Sequence, residues 1–208
     1  ESGLRKNDQE RVGEATAALK NVVGRVKKMV LDILYYAKSR EIEMESVPAG
    51  HFLQDTAALI VPKAAAANVK YNVDIPEDMG EIKIDPSSMS AAIVNFLENA
   101  VDACEPPLPG KEYCINVTGR DLGDIVEITI SDNGTGMDRE TKEKIFTLFF
   151  SSKGKRGTGI GLFISNQTIE QHGGSIRVES EPCEGTTFTI LLPRRPESKK
   201  QPKACPCT

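Results

Sequence analysis

Asp132-Asn133-Gly134-Thr135-Gly136-Met137 follows directly on residues 124–131 (DIVEITIS), and these two pieces together decide the fold. The eight residues alternate apolar and polar, the period-two signature of a half-buried strand. Val126, Ile128 and Ile130 therefore share a face with Asp132, which brings a carboxylate out at the strand end on the side turned to the core. Gly134 and Gly136 let backbone come close to a ligand with no Cβ in the way. A carboxylate that accepts from an exocyclic amine, beside glycines that admit a flat ring, suits an adenine pocket. Taken alone, Asp-Asn-Gly is also an ordinary turn.

Two further segments favour the pocket. Lys153-Gly154-Lys155-Arg156-Gly157-Thr158-Gly159-Ile160-Gly161-Leu162 joins a basic, glycine-rich loop to an apolar helical pattern carried by Ile160, Phe163 and Ile164. Glycines that open a helix leave N–H groups pointing at the loop, and the helix dipole adds positive character there. Lys153, Lys155 and Arg156 add cationic charge suited to a polyphosphate, although three lysines and arginines in a loop are also what a solvated surface carries. The pattern is neither a Walker loop nor a Rossmann fingerprint, since no Gly-Lys-Ser/Thr ends it and no βαβ unit surrounds it. The other segment, residues 93–103 (IVNFLENAVDA), is opened by Asp85-Pro86 as N-cap and first helical residue. Met89, Ile93, Phe96, Leu97, Ala100 and Cys104 form its buried stripe. Asn95, Asn99 and Asp102 recur at i, i+4, i+7 on another face, and amide oxygens are ligands for a hard cation such as magnesium.

Together these segments resemble the ATP-binding domain shared by gyrase, heat-shock chaperone, histidine kinase and mismatch-repair proteins, the GHKL or Bergerat fold. The resemblance runs from about residue 50 to 192. NFLENAVDA resembles the asparagine box, DNGTGM the first glycine box, IFTLFFSSK with Phe146 and Phe149 the phenylalanine box, and GTGIGL the second glycine box. Glu184-Gly185-Thr186-Thr187-Phe188 resembles the terminal glycine-threonine element beside the adenine. The resemblance implies that Asp132 accepts from the adenine amino group, with Gly134, Gly136, Met137 and Thr187 completing that pocket. Asn99, aided by Asn95 and with Asp102 nearby, holds magnesium bridging the phosphates. Lys153, Arg156, Gly157, Thr158, Gly159, Ile160, Gly161 and Leu162 receive the phosphates, and Phe146 and Phe149 tether the lid.

Chemistry narrows the branch. Hydrolytic members carry a glutamate one turn before the magnesium asparagine; here that position is Asn95, which cannot act as a general base. Glu98 adjoins Asn99 but points away from the Asn95–Asn99 line. FFSSK and His172-Gly173-Gly174 resemble sensor histidine kinases of the nitrogen-regulator type, which transfer phosphoryl to a protein side chain. Residues 10–44 hold no proline, and Leu19, Val22, Val23, Val26, Met29, Val30, Ile33, Leu34 and Ala37 form a stripe suited to a bundle or coiled coil. Residues 31–38 resemble the end of the second dimerisation helix of such a kinase; a plain amphipathic core helix is the alternative. The chain departs from the family in its histidines. His51 falls before the apolar run 52–60 and His172 at a helix stop, so both are expected to be structural, and the phosphoacceptor is expected upstream of Glu1. This fragment is then expected to bind ATP without phosphorylating itself.

A chain of 208 residues suits one compact domain with a helical extension. The net charge of −4 gives no reason to expect nucleic acid, and no run of apolar residues reaches spanning length. Cytoplasmic placement is expected, with any membrane attachment made by upstream segments. Cys104, Cys114 and Cys183 are scattered as reduced thiols are, while Cys205-Pro206-Cys207 lies in a proline- and lysine-rich tail. The expected architecture is α+β: a two-layer sandwich whose mixed sheet is covered on one face by helices, preceded by a long α-helix. Strands are expected at 70–75, 81–84, 113–119, 124–132, 175–180 and 186–192, and helices at 87–104, 159–172 and 52–67, the last kinked or split by Pro62. The division is a partial dimerisation domain over 1–46, an ATP-binding domain over 47–193 and a flexible tail over 194–208. The expected partners are a response-regulator receiver domain and a second copy of the intact protein. Two other readings stay open: a serine/threonine-directed kinase of the same fold, of the anti-sigma or dehydrogenase-kinase type, and a non-catalytic nucleotide-dependent interaction module.

Overall fold

The structure is a computed structural model that describes residues 11–20, 22–24, 26, 42–104, 110–151 and 158–195. In chain order its elements are α1 (residues 11–20, with helix also at 22–24 and 26), β1 (Glu45–Pro48), α2 (Ala49–Ala58), α3 (Val61–Ala66), β2 (Lys70–Asp74), β3 (Glu81–Ile84) and α4 (Pro86–Ala103). β4 (Cys114–Asp121), β5 (Ile125–Asp132), α5 (Arg139–Lys144), α6 (Gly161–Gln171), β6 (Ser175–Glu181) and β7 (Gly185–Pro193) follow.

Alternation along β5 buries Val126, Ile128, Ile130 and Asp132 and leaves the intervening residues on the outer face. Its neighbours repeat the pattern, giving a mixed five-stranded sheet in the order β2-β4-β5-β7-β6, parallel only between β2 and β4. The register lines up rows on the inner face: Val117, Ile130, Phe188 and Val178 form one, and Gly119, Ile128, Ile190 and Ile176 the next. Four helices cover this face, α4 across β5 and β7, α2 on β4, α3 on β2 and α6 on β6. The architecture is the expected α+β arrangement.

The helix over 52–67 is split as expected, into α2 and α3: Pro62 lacks the N–H an uninterrupted helix needs and sits instead in the first turn of α3, where that N–H has no partner to lose. One expectation needs correcting. The strand over 81–84 does not join the main sheet; β3 pairs antiparallel with β1, a strand the sequence pattern does not announce, in a separate two-stranded sheet. Arg194 pins this small sheet to the main one, donating from Nη1 to the Glu81 carbonyl at 2.7 Å while Nη2 pairs with Asp121 at 2.6 Å. The polar helix α5 is likewise additional to the expected elements; Asp138 caps it by accepting from the Thr141 N–H at 2.8 Å.

α4 is held by its stripe. Met89, Ile93, Phe96, Leu97, Ala100 and Cys104 are all at most 2% exposed, and Phe96 meets Phe188 with ring centroids 5.0 Å apart. Each large side chain of that set contributes about 1.5–3 kcal/mol by burial. The half-exposed Lys63–Asp102 pair between α3 and α4, at 2.8 Å, is of the kind worth about 0–1 kcal/mol, so packing and not charge sets the position of α4. Asp85 caps the helix as expected, accepting from the Ser88 N–H at 3.0 Å, with Pro86 in the first turn. In α1, by contrast, Leu19, Val22, Val23 and Val26 are exposed.

His172 is the structural residue expected, and its geometry is specific. It ends α6 at 1% exposure, with Nδ1–H donating to the Thr168 carbonyl at 2.7 Å and Nε2 accepting the Asp85 backbone N–H at 3.0 Å. The C-terminus of α6 is thereby latched to the N-cap of α4. Gly174 closes the helix stop, its N–H bonding the Ile169 carbonyl at 2.9 Å. Burial holds the imidazole below its ordinary 6.5. Because the folded state disfavours the proton, stability from this group is complete above 6.5 and is lost as pH falls below it. Denaturant midpoints measured between pH 7.5 and 5 are expected to fall for the wild type and to be flatter for His172→Gln, which itself costs about 1–3 kcal/mol at pH 7.5 through the broken buried hydrogen bonds.

Candidate functional site

The candidate site gathers at the end of the sheet where β5 stops, beneath α4, against which α6 packs. One row of the inner sheet face forms its floor: Ile115, Asp132, Thr186 and Ser180, neighbours through the β4–β5, β5–β7 and β7–β6 registers. Asp132 is 7% exposed, and its Oδ1 accepts the Gly134 N–H at 2.8 Å. A carboxylate set at the end of an apolar ladder and oriented by a backbone donor is positioned to accept from a ligand amine.

Thr187 does not share this face. It pairs with Ser131, and the two hydroxyls are 2.9 Å apart on the outer side of the sheet. Thr186 takes its place beside Asp132, and the sequence carries the signal: Phe188, Ile190 and Leu192 point inward, and period two puts Thr186 with them. The glycines also act differently from the expectation. A Cβ on Gly134 would lie 2.6 Å from the Ala103 carbonyl oxygen, and one on Gly136, at φ +62°, would overlap the Glu181 carbonyl. The space they open is filled by the end of α4 and by the β6–β7 turn, so these glycines admit the protein's own backbone. Thr135 N–H then bonds the Ala103 carbonyl at 2.9 Å, tying the loop after β5 to α4. Met137 packs partly buried against the core, its N–H donating to Ser180 Oγ at 2.8 Å. Ser180 is a site residue that the sequence reasoning missed.

On the helical side, Asn95 and Asn99 do lie together. Asn99 Nδ2 donates to the Asn95 carbonyl at 2.7 Å, which fixes the turn of its amide. Asn95 is occupied in joining the two helices: Nδ2 donates to the buried Ser165 Oγ of α6 at 3.0 Å, and Oδ1 is so close to Gly161 that a Cβ there would lie 2.6 Å away. Asn95 is thus a seam residue between α4 and α6. Asp102 carries the ion pair to Lys63.

The basic, glycine-rich loop expected to receive phosphates is described at its two ends only; Lys153, Lys155, Arg156 and Gly157 lie outside the described residues. Phe149 N–H donates to the Gly159 carbonyl at 2.9 Å and closes the neck of the loop. Phe146 packs partly buried against the core, whereas Phe149 is 59% exposed in the left-handed region at φ +66°. The ring that anchors this segment is therefore Phe146, and Phe149 contributes its backbone. Ile160 is buried and ends the loop, Thr158 Oγ1 accepts its N–H at 3.4 Å, and Gly161 and Leu162 open α6 as expected.

The sequence pattern of the histidine kinase-, DNA gyrase B- and HSP90-like ATPases matches residues 84–196, more than half of the chain. The chain belongs to that ATPase family. Sporulation kinase E of Bacillus subtilis is 30% identical over 177 residues, 85% of this chain and 23% of that protein. Sensor histidine kinase ZraS of Klebsiella oxytoca is 31% identical over 178 residues, 85% of this chain and 37% of ZraS. The chain thus spans about a quarter to two fifths of the curated relatives it matches. The catalytic domain of histidine kinase ThkA superposes with a TM-score of 0.63 at 27% identity, covering 74% of this chain and 99% of that domain. ThkA solved in complex with response regulator protein TrrA covers 95% of this chain and 55% of that one, with a TM-score of 0.76; at 24% identity it speaks for the fold. The matched family segment begins at Ile84 and so takes in α4, the strands β4 to β7 and α6.

Gly136→Ala is expected to destabilise this ATPase fold by about 3 kcal/mol or more, since it adds a clash with a backbone carbonyl to a positive φ. Gly110→Ala, also at positive φ but with nothing within 4 Å of the added Cβ, is expected to cost about 1 kcal/mol by chemical denaturation.

Proposed function

We propose that this chain is the ATP-binding core, with part of the dimerisation helices, of a sensor histidine kinase. The observation that carries the reading is the pair of histidines. His172 is buried as the α4–α6 latch and His51 lies on α2, off the dimerisation helices, so this reading assigns neither as the phosphoacceptor. The acceptor is then a histidine on a helix outside this chain, and the phosphoryl group passes onward to an aspartate of a response-regulator receiver domain. The exposed stripe of α1 supports an assignment of residues 1–46 to the dimerisation helices, where a second copy of the intact protein covers it. Residues 47–193 are the ATP-binding domain, and placement on the cytoplasmic side follows from the same reading. Among the described residues no helix is long and apolar enough to cross a membrane.

In this reading Asp132 accepts from the adenine amino group, Thr186 sits beside it, and Met137 packs at the base. The Asn99 amide oxygen fits a hard cation, and Asn95 positions Asn99 through its carbonyl and α6 through Ser165. Magnesium, when bound, neutralises phosphate charge, which with positioning is most of what phosphoryl transfer asks of a protein. Lys153, Arg156 and the amides of residues 157–161 serve the same charge from the loop. The absence of a carboxylate at Asn95 supports transfer to a side chain over transfer to water, because an amide takes no proton from water.

γ-Labelled MgATP separates this reading from its rivals. This chain alone is expected to bind the nucleotide and retain no label. The parent protein is expected to hold label that acid removes and alkali does not, and to pass it to a receiver domain. Acid-stable label on a partner protein would instead assign a hydroxyl-directed kinase, and label on His51 or His172 would contradict an acceptor outside this chain. Asn99→Ala is expected to weaken MgATP binding by about tenfold or more while changing metal-free ATP binding little, as isothermal titration with and without magnesium would show.

A further inference from the structure

Ser180 occupies the far end of the floor row, one strand removed from Asp132, and its hydroxyl makes three hydrogen bonds. It receives the Met137 N–H at 2.8 Å, it donates to the Gly185 carbonyl at 2.8 Å, and it lies 3.0 Å from Thr186 Oγ1. A serine hydroxyl owns one hydrogen and two lone pairs. The Gly185 carbonyl can only accept, so the single Ser180 hydrogen is spent there. The contact with Thr186 must then be donated by Thr186. Its hydrogen is committed sideways to Ser180, and what Thr186 Oγ1 has left is lone pairs.

We infer that Ser180 is a positioning residue that sets base selectivity, by locking Thr186 as an acceptor beside the Asp132 carboxylate. The inference rests on the nucleotide reading of this cleft and deepens it. Ser180, Thr186 and Asp132 are each only 6 or 7% exposed, so water does not readily supply what the wall lacks. Asp132 and Thr186 are direct cross-strand partners, so their side chains stand side by side on one face. A wall of two acceptors welcomes a purine whose 6-position carries amino hydrogens. It rejects one carrying a carbonyl oxygen there, since that contact sets lone pairs against lone pairs and leaves buried polar atoms unpaired. Selectivity for adenine over hypoxanthine and guanine is then a property of three side chains, of which Ser180 need not touch the base. Its second bond, from the Met137 N–H, keeps the loop after β5 in register with the same row.

Without the Ser180 hydroxyl, the Thr186 hydrogen is free to turn toward the cleft and meet a carbonyl oxygen. The test is titration calorimetry of the folded chain with MgADP and MgIDP. The wild type is expected to prefer ADP, and Ser180→Ala is expected to narrow the ADP-to-IDP affinity ratio by about five- to tenfold, the worth of one hydrogen bond reversed in direction. Ser180→Thr, which keeps a hydroxyl, is expected to restore the ratio. A merely structural Ser180 would weaken both ligands alike, and an unchanged ratio with weakened binding overturns the inference. If Ser180→Ala does not fold, Thr186→Val carries the same test: a ratio narrowed there but kept in Thr186→Ser supports the wiring, and equal ratios contradict it. A wild type that binds neither nucleotide would overturn the nucleotide reading itself, a result distinct from an ADP-binding wild type whose ratio Ser180 does not control.

Discussion

The constraint that organises this molecule is the burial of one carboxylate. Asp132 ends the inner face of β5, in line with Val126, Ile128 and Ile130, and is 7% exposed. An acidic group in such a place costs several kcal/mol unless donors reach it. The chain meets the cost locally by turning at once after the strand, so that the Gly134 N–H points back at Oδ1. That turn needs room, and glycine supplies it at 134 and 136, where the end of α4 and the β6–β7 turn press in.

Around this point the helices are held by directed contacts at both ends. Asn95 joins α4 to the first turns of α6 through Ser165 and against Gly161, and His172 joins the last turn of α6 to the N-cap of α4. With the backbone closed between Phe149 and Gly159, α6 starts from a fixed base. A rigid floor and a rigid seam flanking one loop is the arrangement that positioning-based phosphoryl chemistry requires.

What is legible in the sequence is whatever is encoded within a few residues. The strand ends at 84 and 132, the Asp85–Pro86 start of α4, its stripe from Met89 to Cys104 and the stop after His172 all follow from local spacing or cap chemistry. What is not legible depends on a partner distant in sequence. β1 is a strand only because β3 lies beside it, and the four residues 45–48 carry no period long enough to show it. The service of Gly134 and Gly136 to the protein's own carbonyls depends on Ala103 and Glu181 arriving there. Ser180 reads as an ordinary strand serine until its three partners are in place. Thr187 is a different case: the alternation that fixes Thr186 inward is present in Phe188, Ile190 and Leu192, and the resemblance to a terminal element, which carries no facing, points one residue too far.

The central claim is that a purine amine is held by the Asp132 carboxylate. Titration calorimetry of MgATP against the wild type and Asp132→Asn tests it most directly, with circular dichroism to show that both are folded. The account predicts measurable binding by the wild type and a loss of about a hundredfold or more in the variant, which exchanges an ionisable acceptor for a group that also donates. Equal affinities in two folded proteins would contradict it.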